Sequence, residues 1–180
     1  MIRALDYALL RYLNSWAGVS RLGDAVIVFF AQYLAYVFVA AFLAFLSFGH
    51  RNRREKIRIF WVALLSAIVA RLGIAELIRF FYHRPRPFLV PMLHANQLLA
   101  GSEWAFPSGH AAFFFAVVAA IYVYDKKWGS VFFAATVVMT LARVMAGIHY
   151  PSDIAGGVVI GTASAYGVFY FFKRNWPVIS

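Results

Sequence analysis

The sequence predicts an all-α, polytopic membrane protein: a bundle of five to six transmembrane helices with an N-terminal amphipathic helix. Three observations carry this expectation. Of 180 residues, 63% are hydrophobic and only 13% charged, whereas soluble domains run near ~45–50% apolar and ~25% charged. Mean hydropathy is +0.73. The apolar residues also gather into stretches long enough to cross ~30 Å of hydrocarbon at about 1.5 Å per residue. This composition excludes disorder, collagen and coiled coil. The absence of Cys removes disulfides, thiolate metal sites and cysteine nucleophiles together. The length suits a single domain over residues 1–180.

Residues 2–16 come first. Ile2, Leu5, Leu9, Tyr12, Leu13 and Trp16 recur at helical spacing beside Arg3, Asp6 and Arg11, which predicts an amphipathic helix in the membrane interface. Asp6 and Arg11 interrupt any short apolar run and argue against a cleaved signal peptide. Ala25–Phe48 is uncharged and forms the first span, and Ile59–Phe81 forms the second, carrying Arg71, Glu76 and Arg79. Phe88–Ala105 is too short and mixed to span, and reads as a loop, a lid or a re-entrant turn. Ala111–Tyr124, extended upstream by Ser-Gly-His, is a shorter third span. Ser130–Ile148, with Arg143 inside it, is the fourth and Ile154–Phe172 the fifth. Gly157, Gly161 and Ala165 form a small-residue stripe suited to close helix packing, and Trp61, Trp104, Trp128 and Trp176 read as interface anchors.

The net charge of +10 comes from 17 Lys and Arg against 7 Asp and Glu. Its placement argues for topology, not for nucleic acid. Arg51, Arg53, Arg54, Lys56 and Arg58 lie between spans one and two, Lys126 and Lys127 between three and four, and Lys173 and Arg174 after five. Alternating spans put all three clusters on one side, expected to be cytoplasmic. Three polar groups then meet on the opposite side: Arg79 to Pro87, Pro107 to His110, and Arg143 to Asp153.

An arginine inside a span costs about 2.5–3.5 kcal/mol on insertion scales, so Arg79 and Arg143 need a partner or a task. Arg79, Arg86 and Arg143 converging on one pocket would repel unless an anion lies between them, and phosphate matches the guanidinium fork. Ser108 is a good N-cap, and Gly109 allows a ligand close to the free N–H groups of a helix start. Of His110 and His149, a neutral imidazole can attack phosphorus and a protonated one can donate to the departing oxygen. Pro151 should turn the chain so that Asp153 folds back on His149, fixing its tautomer. A metal site built from His110, His149 and Asp153 is disfavoured, because three arginines would repel a cation. Glu76 with Arg71 and Arg79 reads as a buried ion pair, His83 and Arg84 as either substrate contacts or a solvated loop, and His94 and Glu103 as a secondary acid or base at most.

These motifs resemble the signature of the type-2 phosphatidic acid phosphatase superfamily of membrane lipid phosphatases: K-x6-R-P, then P-S-G-H, then S-R-x5-H-x3-D. Here Arg79 is followed after six residues by Arg86-Pro87, Pro107-Ser108-Gly109-His110 is complete, and Arg143, His149 and Asp153 keep the third spacing. Two positions depart from the pattern: Arg79 stands in place of Lys and Ala142 in place of Ser. The resemblance implies that His149 is the nucleophile, forming a phosphohistidine, with Asp153 orienting it. His110 would be the acid for the leaving group and then the base for water. Arg79, Arg86, Ser108, Gly109 and Arg143 would hold the phosphoryl oxygens, with no metal and no cofactor.

Within that superfamily, the runs His83 to Phe88 and Ala146 to Asp153 look most similar to bacitracin-resistance-type undecaprenyl-diphosphate phosphatases. That likeness implies removal of the terminal phosphate of undecaprenyl diphosphate at the outer face of a bacterial plasma membrane, in lipid-carrier recycling for cell-wall biogenesis. The substrate would be a lipid diphosphate held in the bilayer, and the oligomeric state stays open. Phosphatidylglycerophosphate or phosphatidic acid phosphatase is the alternative within the family. A catalytically inactive lipid-phosphate-binding protein or an anion transporter is the alternative of another class.

Overall fold

Polar caps open the helices of this chain, and they place each helix start ahead of the apolar run that follows it. The computed structural model describes residues 2–49 and 51–175, so Trp176 lies outside the described residues. Six helices follow in order: α1 (Ile2–Asn14), α2 (Arg21–Phe48), α3 (Arg53–Phe81), α4 (Gly109–Tyr124), α5 (Lys126–Met145) and α6 (Pro151–Asn175). Four of them, α2, α3, α5 and α6, are long and apolar enough to cross a membrane, and α4 is a shorter apolar helix of 16 residues. Among the described residues, strand pairing is limited to one isolated antiparallel bridge, Pro85 with Trp104.

Each predicted span lies on one of α2 to α6; α4 starts within the Ser-Gly-His extension, and the other four start three to six residues earlier than hydropathy suggests. The Ser20 side chain accepts from the Gly23 N–H, Asn52 from Glu55, Ser108 from Ala111 and Asp125 from Trp128. Such caps satisfy donors that a hydropathy window cannot see. At its far end α5 stops at Met145, short of Ile148, because Gly147 takes a left-handed turn (φ +73°). Two π-helical turns, Phe29–Tyr33 in α2 and Val69–Ile74 in α3, have no counterpart in the sequence reading.

Helix α4 is the axis of the bundle. Ala112, Ala116, Ala120 and Ile121 are fully buried on it, as an all-round apolar helix requires. Helix α6 lies directly against it through the small-residue stripe: a Cβ on Gly157 would sit 2.5 Å from the Ala111 Cβ, and one on Gly161 2.5 Å from the Ala112 carbonyl oxygen. Phe38 packs edge-on to Phe114 and Phe132, with ring centroids 4.9 and 4.7 Å apart, closing α2 onto α4 and α5.

The ends of the bundle differ. At one, Arg51 donates to the Tyr124 carbonyl (3.0 Å) and the Asp125 carboxylate (2.9 Å), and Arg58 lies over the Tyr124 ring. The basic segment 51–58 and the 124–127 turn therefore share an end, as the charge pattern requires. The start of α4, the α5–α6 corner, the segment 82–108 and α1 occupy the other. Segment 88–105 is neither a spanning helix nor a free lid. It holds two short 3₁₀ turns, Pro87–Leu89 and Pro91–Leu93, and returns alongside Pro85 through Arg86 N–H to Glu103 O (3.1 Å) and Ala105 N–H to Arg84 O (2.8 Å).

The face of α1 that meets the protein is not the apolar stripe of the sequence reading. Asp6, Leu10 and Asn14 point inward, while Leu5, Leu9, Tyr12 and Trp16 point out. Asn14 donates to the carbonyls of Asn96 (2.9 Å) and Met145 (2.7 Å) and accepts from the Asn96 N–H (2.8 Å). The C-terminal end of α1 thus ties the 88–105 return to the end of α5.

Gly161 and Gly167 offer a matched comparison. Gly161→Ala should destabilise the fold by about 1–3 kcal/mol through overpacking. Gly167→Ala, with nothing within 4 Å of the added methyl, should stabilise it by about 0.5–1 kcal/mol through helix propensity. Thermal unfolding of both variants in detergent measures the difference.

Candidate active site

At the non-basic end, three arginines are held in one arrangement. Each ties a guanidinium N–H to a neutral backbone carbonyl. Arg79, in the last turn of α3, donates to Pro107 O (2.7 Å), Arg86 to Ile148 O (2.8 Å) and Arg143 to Ala31 O (2.9 Å). The Ala31 carbonyl lies in the π-helical turn of α2, a distortion that often marks functional sites. In all three arginines the Nε–H is buried and has no partner among the described residues. Three such donors on cationic groups suit the oxygens of an anion.

The start of α4 faces this cluster. Ser108 and Gly109 are fully sequestered from solvent, the Ser108 hydroxyl caps the Ala111 N–H, and the Ser108 N–H binds the Asp153 carbonyl (3.0 Å). The helix start is thereby docked to the α5–α6 corner. A Cβ on Gly109 would collide with the Arg71 guanidinium, so Gly109 is the residue that lets a fourth arginine reach the helix start.

His149 lies in the corner between α5 and α6 and is buried. Its Nδ1 is 3.5 Å from Asp153 Oδ2 and makes no hydrogen bond, and its Nε2 is 3.5 Å from Arg86 Nη1. Burial, then Arg143 and Arg86, hold the imidazole well below its ordinary pKa of 6.5. Arg86 itself is pushed down to about 10, first by burial and then by Arg79. Asp153 is fixed from several sides. Its Oδ2 accepts from the Tyr150 N–H (2.8 Å), closing a capping arrangement around Pro151, and its Oδ1 accepts from Arg84 (2.7 Å).

Residues 59–177, about two thirds of the chain, match the family model described as the PAP2 superfamily. The chain belongs to the PAP2 superfamily. It is therefore a multi-pass membrane protein of a family of lipid-phosphate phosphatases. The undecaprenyl-diphosphatase BcrC of Bacillus subtilis is 24% identical over 97% of this chain and 88% of its own length. LpxE of Aquifex aeolicus has the same fold, with a TM-score of 0.68 at 23% identity over 91% of this chain and 93% of that one. The transmembrane PAP2-type phosphatidylglycerolphosphate phosphatase of Bacillus subtilis follows, with a TM-score of 0.63 at 17% identity over 97% and 87%.

The PAP2 motif residues are brought together as the spacing anticipated: Arg79, Arg86, Ser108, Gly109, His110, Arg143, His149 and Asp153 all line the same end. Their neighbours depart from the sequence reading. Arg84 is not a solvated loop residue. It bridges Asp153, Ser152 (2.6 Å) and Asp6 (2.5 Å) and lies 3.8 Å above the Tyr150 ring. Burial works against its charge, but Asp153 and Asp6 hold the guanidinium above its ordinary pKa. Glu76 does pair with Arg71 and Arg79, yet its side chain is 46% exposed, so the pair sits at the rim and not in the interior. Arg71 is a pocket residue that the motif spacing could not reveal, because it enters through a π turn that shifts its direction. His83 is exposed and stacks on Trp104, and among the described residues the His94 and Glu103 side chains make no hydrogen bond or ion pair. Gly101, over which a Cβ would lie 3.0 Å from the Arg86 guanidinium, lets the return segment close on Arg86, whose second terminus donates to Ser102 Oγ (3.1 Å).

The depressed pKa of His149 gives stability a pH dependence of definite sign. Below 6.5 the unfolded imidazole binds a proton that the folded one does not. This contribution is therefore present above that value and lost as pH falls through it, at about 1.4 kcal/mol per pH unit. Denaturant unfolding between pH 7.5 and 5 should show the loss, and His149→Gln should flatten it.

Proposed function

We propose that this protein hydrolyses the terminal phosphate of undecaprenyl diphosphate at the outer face of a bacterial plasma membrane, without a metal, through a phosphohistidine. The observation that carries this reading is the set of three buried, unpartnered arginine Nε–H groups around an imidazole whose Nδ1 faces a carboxylate. Phosphoryl transfer asks for positioning and charge stabilisation, and these groups supply both. The His149 Nε2 lone pair forms the N–P bond while the bridging P–O bond breaks. The electron pair leaves on the lipid monophosphate oxygen, which takes a proton from His110. Positive charge gathers on the imidazole, the Nδ1–H closes its 3.5 Å gap to Asp153, and the arginines hold the phosphoryl oxygens. Water then attacks phosphorus, His110 takes its proton, the N–P bond breaks, and inorganic phosphate leaves. Apo hydrogen bonds of this type are commonly long and tighten with substrate.

Two further observations support the substrate and the face. BcrC of Bacillus subtilis matches nearly the full chain, and the pocket lies at the end opposite the basic segments. Arg71, held at the rim by Glu76 and packed on Gly109, adds a cation for the lipid-side phosphate of a diphosphate. The buried hydroxyls of Ser66, Thr136 and Thr140 donate back to carbonyls of their own helices, at 2.6–2.9 Å, so they are not free to line an anion path, which favours an enzyme over an anion transporter.

Phosphate release from undecaprenyl diphosphate and phosphatidylglycerophosphate, with and without EDTA, tests the reading. EDTA-resistant release with preference for the isoprenyl diphosphate is expected. Preference for the glycerophospholipid would move the physiology to phospholipid synthesis, and no release from either would leave a binding protein. His149→Ala should abolish turnover while vanadate still binds. Arg71→Gln should reduce kcat/KM for the diphosphate about tenfold more than for the monoester, about the value of one charged hydrogen bond.

A further inference from the structure

We infer that Asp6 is a positioning residue of the active site: from α1 it offsets the charge of Arg84, so that the group Asp6–Arg84–Asp153 presents a net negative charge to His149. This inference rests on the phosphatase reading above. Asp6 lies outside the residues matched to the family, 59–177, and is 4% exposed on the inward face of α1, beside the buried Leu10. Its carboxylate is fully engaged. Oδ1 accepts from the Ser152 N–H (2.9 Å), and Oδ2 accepts from the Ser152 hydroxyl (2.6 Å) and from Arg84 Nη2 (2.5 Å). The other terminus of Arg84 donates to Asp153 Oδ1 at 2.7 Å. Asp153 in turn presents Oδ2 to His149.

The charge balance of this chain of contacts gives Asp6 its role. Asp153 alone beside Arg84 would be a neutral pair, and a neutral pair stabilises a developing imidazolium poorly. With Asp6 the group Asp6–Arg84–Asp153 carries a net charge of minus one, on the Nδ1 side of His149. Arg143, Arg86 and Arg79 all disfavour a cationic ring, so the phosphoryl-transfer step depends on that one negative charge. Asp6 also satisfies the first N–H of α6, that of Ser152, so the carboxylate that balances the charge also sets the position of the helix start bearing Asp153.

A charge-balance rescue tests this. Asp6→Asn keeps the shape and leaves Arg84 paired with Asp153, so the fold should survive. Its kcat on the lipid phosphate that the wild type hydrolyses should fall about tenfold or more with KM little changed, within the range of couplings between contacting residues. The double variant Asp6→Asn/Arg84→Gln restores a net charge of minus one and should recover several-fold over Asp6→Asn alone, although it removes more hydrogen bonds. A merely structural contact predicts the reverse, with the double variant slower and less stable than either single variant. That result, or an unchanged kcat in Asp6→Asn, would overturn the inference while the phosphatase reading stands. A wild type that releases no phosphate overturns both. If Asp6→Asn does not fold, Asp6→Glu against the double variant makes the same comparison, since Glu keeps the charge and shifts only the geometry.

Discussion

The arrangement of this protein turns on guanidinium groups gathered at one end of a helical bundle without carboxylates directly between them. In a low-dielectric setting such a cluster repels itself strongly, and the fold contains it with neutral partners. Arg79, Arg86 and Arg143 each donate to a backbone carbonyl, which fixes geometry without adding a negative charge. A carboxylate in the same places would hold the arginines more tightly and fill the anion site permanently. The carboxylates lie instead at two edges, Glu76 at the rim between Arg71 and Arg79, and Asp6 with Asp153 around Arg84. Charge is balanced beside the pocket and left open inside it.

Keeping this geometry demands close backbone packing below the pocket. The start of α4, which carries Ser108 to His110, meets α6 where Gly157 and Gly161 admit no side chain. Ser108 N–H to Asp153 O then joins two motifs by a single backbone bond. Because α4 is buried around its whole circumference, its tilt is set by neighbours on every side, and the helix start cannot drift from His149. A membrane offers no hydrophobic force between helices, so contact of this kind comes from van der Waals packing, which small residues permit.

The return segment 82–108 and α1 complete the site from outside the bundle. Arg84 and Arg86 lie two positions apart on a stretch that bridges to Glu103 and Ala105. Residues so spaced share a face of an extended strand, so their partners separate them: Arg86 reaches Ile148 O, Ser102 and His149, while Arg84 reaches Asp6, Asp153 and the Tyr150 ring. Pro85 lies between them. One arginine faces the histidine and the other faces the carboxylate behind it.

The sequence by itself determined the helical class, the five apolar stretches and the shared end of the three motifs, and it named eight candidate residues there, because each rests on local periodicity, charge placement or fixed spacing. Helix starts were legible only to within a few residues, since Ser20, Asn52 and Asp125 act through capping bonds that hydropathy does not register. The roles of Asp6, Arg71 and Arg84 were decided by tertiary structure. Asp6 meets Ser152 across 146 positions of chain, a pairing that no local pattern encodes. Arg71 faces the pocket only because a π turn rotates it there, and Arg84 leaves solvent only because α1 brings it a carboxylate. Periodicity and spacing report what a residue's own segment imposes, whereas the partner that gives a buried charge its task comes from wherever the bundle closes.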